Sequence, residues 1–259
     1  MTRKQRQGPP NFTFERTAGS HSLAAAVHRE RSVAVRRVRV YPWQRRCLAG
    51  VEMTNDQVYA AGLLNKALDP ATQPEAIRAF LRAEEVLVRE LVPRRGRIVD
   101  FGCGMGRHLI GLLDVVALGV GIDYEWTYIA EANRLKPDGP LHFLVGDATR
   151  VPLRSQFDAA LCLTNTWGTM IDKLAVLDEM RRLAPETGTR LITVYASTSV
   201  APRRQWYANL GHEVVEITDE HIRTSSGFVS EHFTEERLRS LIGVCAISII
   251  GDVAYLAQA

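Results

Sequence analysis

From Arg97 to Arg107 the chain reads Arg-Ile-Val-Asp-Phe-Gly-Cys-Gly-Met-Gly-Arg, an apolar run that meets an acid and then three alternating glycines. No other stretch constrains the fold as strongly. A strand that ends in such a loop and passes at once into a helix belongs to open parallel sheets, where ligands sit at the carboxyl edge. The glycines let the backbone turn tightly and approach a ligand with no Cβ in the way. The helix behind them offers unbonded N–H groups and the positive end of its dipole.

The rest of the chain supports an α/β fold, a Rossmann-like doubly wound sheet that is mostly parallel with an antiparallel C-terminal strand. Residues 55–68 carry Ala60, Leu63, Leu64 and Leu68 on one helical face, with Thr54-Asn55-Asp56 as the cap and Asp69-Pro70 as the stop. A second helix runs from Pro74 to Pro93 on Ile77, Phe80, Leu81, Leu87, Val88 and Leu91. Strands are expected at 97–101, 118–123, 141–146, 157–163 and 191–195, with helices at 106–113, 127–135 and 171–183 between them. Then the rhythm breaks. Residues 201–210 read as a helix, 213–218, 221–224 and 228–233 as short strands, and Thr234-Glu235-Glu236 opens another helix with a cap and acids in its first turn. Residues 244–250 and 253–256 read as a closing hairpin around Gly251-Asp252.

Nicotinamide and flavin proteins use G-x-G-x-x-G, whose third glycine would fall where this chain has Arg107. The pattern here is G-x-G-x-G with Asp100 in the strand before it, which resembles motif I of the class I S-adenosylmethionine-dependent methyltransferases. Three further elements follow in that family's order. Gly119-Val-Gly-Ile-Asp123 puts a carboxylate at a strand tip, able to accept both hydroxyls of a ribose, with Tyr124 beside it. Gly146-Asp147-Ala148 ends the next strand with an acid that can accept an adenine amino group and a small residue that leaves room for the ring. Phe157-Asp158-Ala-Ala-Leu-Cys-Leu163-Thr-Asn165-Thr-Trp167-Gly168 resembles motif IV, where cofactor and substrate meet.

The resemblance implies S-adenosyl-L-methionine as cofactor, with Asp100, Gly102, Cys103, Gly104, Gly106, Asp123, Tyr124, Asp147, Ala148 and Leu163 at its site. It also implies that a methyl group passes in line from a sulfonium to an N or O nucleophile, a reaction that needs alignment and desolvation but no metal. Cys103 and Cys162 read as small packing residues, because the sequence sets no general base beside them. Asp158 reads as structural. For the acceptor side, the 198–232 insertion is the expected substrate cap, with Arg203 and Tyr207 in it and Trp167 as a pocket wall. Asn165 can orient an amine or hydroxyl, and His232 is the leading candidate for a base. The motif IV tip lacks the Asn-Pro-Pro-Tyr signature of enzymes that methylate planar amide or exocyclic amino nitrogens. A small molecule is therefore the expected acceptor.

Charge sharpens that expectation. Residues 1–52 hold eleven Lys and Arg against three acids, while the remainder holds 21 basic and 26 acidic side chains. The tail reads as disordered, as a targeting peptide or as an arm for anionic surfaces, and a translational start at Met53 would remove it. The acidic body has no basic stripe, so nucleic acid is not the favoured partner. Four scattered cysteines make neither a metal site nor a disulfide framework. With no apolar run long enough to span a membrane, a cytoplasmic location follows. Competing readings are a cofactor-binding but silent module, an RNA or protein methylase and, last, a nicotinamide-dependent oxidoreductase, which would need a Tyr-x-x-x-Lys constellation that the chain lacks. The oligomeric state stays open.

Overall fold

The motif-bearing strand ends share one edge because their strands run in the same direction. The computed structural model describes residues 53–259, so the expectations for 1–52 lie outside the described residues. Strands β1 (Arg97–Phe101), β2 (Leu118–Asp123), β3 (Leu141–Val145), β4 (Ala159–Cys162) and β5 (Thr189–Tyr195) pair in parallel. With β9 (Ala246–Ile250) and β10 (Ala254–Gln258) they form a seven-stranded sheet in the order β3-β2-β1-β4-β5-β10-β9. Only β10 runs against the rest, paired antiparallel with both neighbours. The sheet is the Rossmann-like arrangement expected from the sequence. Its order reverses at β1, between β2 and β4, and ligands bind at such a switch point.

Alternate residues of each strand enter opposite layers, as a pleated strand requires. Ile98, Leu161 and Leu191 face α3 (Glu75–Leu91), α5 (Trp126–Leu135) and α7 (Val200–Asn209), whose Ile77, Phe80, Ile129 and Trp206 complete that core. Val99, Ala160, Cys162 and Ile192 face α6 (Lys173–Leu183) and α8 (Glu235–Ile242), which contribute Val176, Met180 and Leu238. Asp158, before β4, accepts the Arg97 N–H at 2.7 Å and ties the starts of the two central strands together.

Several boundaries differ from the sequence reading for local reasons. The first helix breaks in two, α1 (Asn55–Ala60) and α2 (Leu63–Ala67), because Gly62 takes φ +89° between them. The helix after the glycine loop, α4 (Arg107–Gly111), stops two residues early, and Leu112 and Leu113 turn back onto Leu109 and Ile110. The α6 helix starts two residues late because Asp172 caps it, accepting from Ala175 N at 3.0 Å. Residues 198–232 contain α7 and a separate antiparallel sheet of β6 (Val214–Ile217), β7 (His221–Thr224) and β8 (Val229–Glu231). The N-terminal helix is bolted to it: Asn55 Oδ1 accepts from Val229 N at 2.7 Å while its Nδ2 donates to Val229 O at 2.7 Å and Thr169 O at 2.9 Å. No helix among the described residues is long and apolar enough to cross a membrane.

Candidate active site

The glycine loop at the β1 tip is built to be approached. Gly102, Gly104 and Gly106 have φ of +68°, +53° and +81°, where a side chain is strained. A Cβ would also collide: at Gly102 with Thr166, at Gly104 with Leu64 of α2 at 2.5 Å, and at Gly106 with the Phe143 ring at 2.5 Å. The loop N–H groups of Gly102 and Cys103 both bond to Ile122 O, which fastens the loop to β2. Cys103 turns its sulfur inward against Gly121, and burial pushes its thiol well above the ordinary range.

Asp100, one residue before the turn, is 1% exposed, and its Oδ2 has no hydrogen-bond partner among the described residues. Burial, with Glu84 adding like charge, raises its carboxyl well above the usual range. A buried carboxylate oxygen without a donor is costly unless a ligand supplies one. At the β2 tip, Asp123 accepts from Gly104 N and Glu125 N, both at 2.9 Å, so it fixes the loop and the entry to α5. Burial raises its carboxyl too. Tyr124 is 44% exposed. At the β3 tip Asp147 is exposed and Ala148 partly buried; Asp147 Oδ1 closes a local turn by accepting from Thr149 N and Oγ1 at 2.8 and 2.7 Å.

At the β4 tip, buried Leu163 leads into Thr164 and Asn165, two non-glycine residues with φ of +53° and +59°. A carboxylate that sequence reasoning missed holds this strained pair. Glu84 of α3, 0% exposed, accepts from Thr164 N at 2.7 Å, Thr164 Oγ1 at 2.6 Å and Arg107 Nη2 at 3.1 Å, with His108 Nε2 at 3.4 Å. Burial opposes its ionisation, but the His108 contact, the Arg107 charge and the Thr164 hydroxyl outweigh it and hold the carboxyl at about 2. Its signal was present: Ile77, Leu81, Glu84 and Val88 share a helical spacing, so an acid stands on the buried face of α3.

The residues expected on the acceptor side are drawn into the protein. Asn165 is 1% exposed; its Oδ1 accepts from Tyr195 N at 2.9 Å and its Nδ2 donates to Ser230 Oγ at 3.0 Å, joining the β4, β5 and β8 ends. Trp167 is fully buried, stacked on Phe233 with its indole N–H on Lys173 O, so it packs the second core and not a cleft. His232 is nearly sealed, with Nδ1 3.3 Å from Arg203 Nη1, and burial with that neighbouring charge lowers its pKa. Arg203 is 0% exposed and lies over the Tyr195 ring at 4.4 Å and the Tyr207 ring at 5.7 Å. Tyr59 of α1, also missed, packs edge-on against Phe228 at 5.6 Å. The α1–α2 pair therefore spans the strand tips, from Leu64 over Gly104 to Asn55 at β8.

Comparison with known proteins places this geometry. Residues 98–188, from β1 to the residue before β5, match a family model described as a methyltransferase domain. The dTDP-3-amino-3,6-dideoxy-alpha-D-glucopyranose N,N-dimethyltransferase of Streptomyces fradiae is 30% identical over 98 residues, 38% of this chain and 38% of that one. The matched stretch thus spans well under half of that relative. Among solved structures, the PH0226 protein of Pyrococcus horikoshii OT3 superposes with a TM-score of 0.60 at 18% identity, covering 75% of this chain and 97% of the other. The DhpI–SAH complex gives 0.56 at 16% identity, over 79% and 93%. At these identities the likeness to solved structures is one of fold.

Proposed function

We infer that this chain, which carries a class I S-adenosylmethionine-dependent methyltransferase domain, transfers a methyl group to an N or O nucleophile of a small molecule. The observation that carries the reading is the buried, partnerless Oδ2 of Asp100 beneath three left-handed glycines, beside a second acid at Asp123. Acids sealed from water beside a glycine loop suit a cofactor that brings positive charge and sugar hydroxyls. Asp100 would meet the cofactor's ammonium, and Asp123 keeps lone pairs for a ribose after accepting one N–H on each oxygen. Asp147, Ala148, Tyr124 and Leu163 would surround the adenine. When bound, S-adenosylmethionine supplies a methyl already activated on sulfur.

The protein's own part is alignment and exclusion of water. Glu84 fixes the left-handed Thr164–Asn165 tip, and the α1–α2 pair covers the glycine loop. Asn165 and His232 we read as positioning residues, since the Asn165 amide is spent on Tyr195 and Ser230 and His232 is buried with its Nδ1 on Arg203. The 198–232 segment serves as the acceptor's cap. A relative named as an N,N-dimethyltransferase of a nucleotide-linked amino sugar supports a small acceptor, and the cysteine pattern suits a cytoplasmic protein.

Calorimetric titration with S-adenosylhomocysteine, with NADH as control, tests the reading. Micromolar binding that is lost in Asp123→Ala and absent for NADH is expected. No binding, or preference for NADH, would sink it.

A further inference from the structure

A buried guanidinium is ordinarily matched by a carboxylate, because an isolated charge in the interior is costly. Arg203 is not. Its polar contacts are Ser230 O at 2.7 Å, His232 Nδ1 at 3.3 Å, the Tyr207 hydroxyl at 3.4 Å and Ser199 Oγ at 3.5 Å, and no acid pairs with it among the described residues. The other fully buried charge at the strand edge, Glu84, has Arg107 at 3.1 Å.

The guanidinium lies flat over Tyr195, at the tip of β5. The Tyr195 backbone is fixed by Asn165 and its ring packs on Phe80 at 5.9 Å, so the residue is rigid. Its hydroxyl, however, makes no hydrogen bond within the described residues. Nor is it one of the polar atoms sealed from solvent, as Asp100 Oδ2, Thr193 Oγ1 and Trp206 Nε1 are. The Tyr207 ring lies under the same guanidinium at 5.7 Å. A free phenol donor under an uncompensated cation is a receptor for negative charge.

We propose that the Tyr195 hydroxyl and the Arg203 charge behind it form an anion subsite, so that the methyl acceptor carries a carboxylate or phosphate. Tyr195 donates the hydrogen bond; Arg203, sealed from solvent, acts through its charge and by holding the ring. The subsite takes its setting from the methyl-transfer reading, but its test does not depend on that reading.

Acetate, benzoate and inorganic phosphate would be titrated against the full chain, with the neutral isosteres acetamide and benzamide, in the presence and absence of S-adenosylhomocysteine. At least one anion should bind tenfold or more tightly than its neutral isostere. Tyr195→Phe should remove that preference with melting temperature and S-adenosylhomocysteine affinity unchanged, and Arg203→Lys should retain more of it than Arg203→Met. Equal binding of anions and neutral isosteres, no binding of any probe, or a full anion preference in Tyr195→Phe would overturn the proposal. Failure of S-adenosylhomocysteine to bind, with the anion preference intact, would overturn the cofactor reading and leave the subsite standing.

Discussion

Glu84 grips Thr164 twice, through the backbone N–H at 2.7 Å and the hydroxyl at 2.6 Å, across eighty residues of sequence. That contact joins the helix before the sheet to the left-handed β4 tip. Removing it in Glu84→Ala would leave the Thr164 N–H without its acceptor and Arg107 with Glu85 alone, at a cost of about 1–3 kcal/mol in urea unfolding. The acid dependence follows from the same group. Its folded-state pKa of about 2 lies below the ordinary 4.5, so its stabilisation is present above 4.5 and is lost as pH falls toward 2. The span is worth about 3 kcal/mol. A Glu84→Ala chain should show an acid-unfolding profile shallower by that much.

Asp100→Asn separates folding from function. The wild-type carboxyl titrates high because it is buried near Glu84 and Asp123, so its ionised form destabilises the empty fold. The amide should leave the melting temperature equal or higher while weakening S-adenosylmethionine tenfold or more. In the wild type, affinity should fall as pH drops through the raised Asp100 pKa, because the protonated acid no longer attracts an ammonium. That slope should be absent from calorimetric titrations of Asp100→Asn; a slope that persists would assign it to another group.

Gly104 and Leu64 form a steric pair. Gly104→Ala places a Cβ 2.5 Å from Leu64 Cδ2 at a φ of +53°, with an expected loss of about 1–3 kcal/mol. In a Leu64→Ala background the clash disappears and only the backbone strain remains, about 1 kcal/mol. Urea unfolding of the four proteins in the cycle measures the coupling.

Asn55→Ala removes three hydrogen bonds that tie α1 to Val229 and Thr169. Stability should fall by about 1–3 kcal/mol. Hydrogen exchange should quicken in residues 55–67 and not in β1. Stopped-flow release of S-adenosylhomocysteine should be faster; an unchanged release rate would show that α1 does not cover the bound ligand.

The strand-tip half of the candidate site was legible in the sequence because each of its parts is local. Gly102, Gly104, Gly106, Asp123 and Asp147 sit at the ends of strands whose apolar runs announce them, so the chain order alone sets them on one edge. The part expected to face an acceptor is made by contacts between distant segments, and there residue type misleads. Arg203, His232, Asn165 and Trp167 have the polar or aromatic side chains of a pocket, yet they bond to one another, to Tyr195 and to Lys173 inside the protein. Tyr59 and Tyr195, which pattern did not single out, pack beside them, Tyr195 under the Arg203 guanidinium and Tyr59 against Phe228. Glu84 alone left a trace, as an acid on the apolar face of its helix.

The last strand lies inside the sheet. β10 fills the slot between β5 and β9, and Ala259 exchanges two backbone hydrogen bonds with Arg190. During translation the β10 side of β5 is therefore left as a bare edge until residues 254–258 have emerged from the ribosome. Strands β1 to β5 can pair earlier, but the nascent protein carries an open template for mispairing until then. Protection of that edge from proteases and from aggregation should thus arrive only with β10, and a chain cut before Ala254 should lack both.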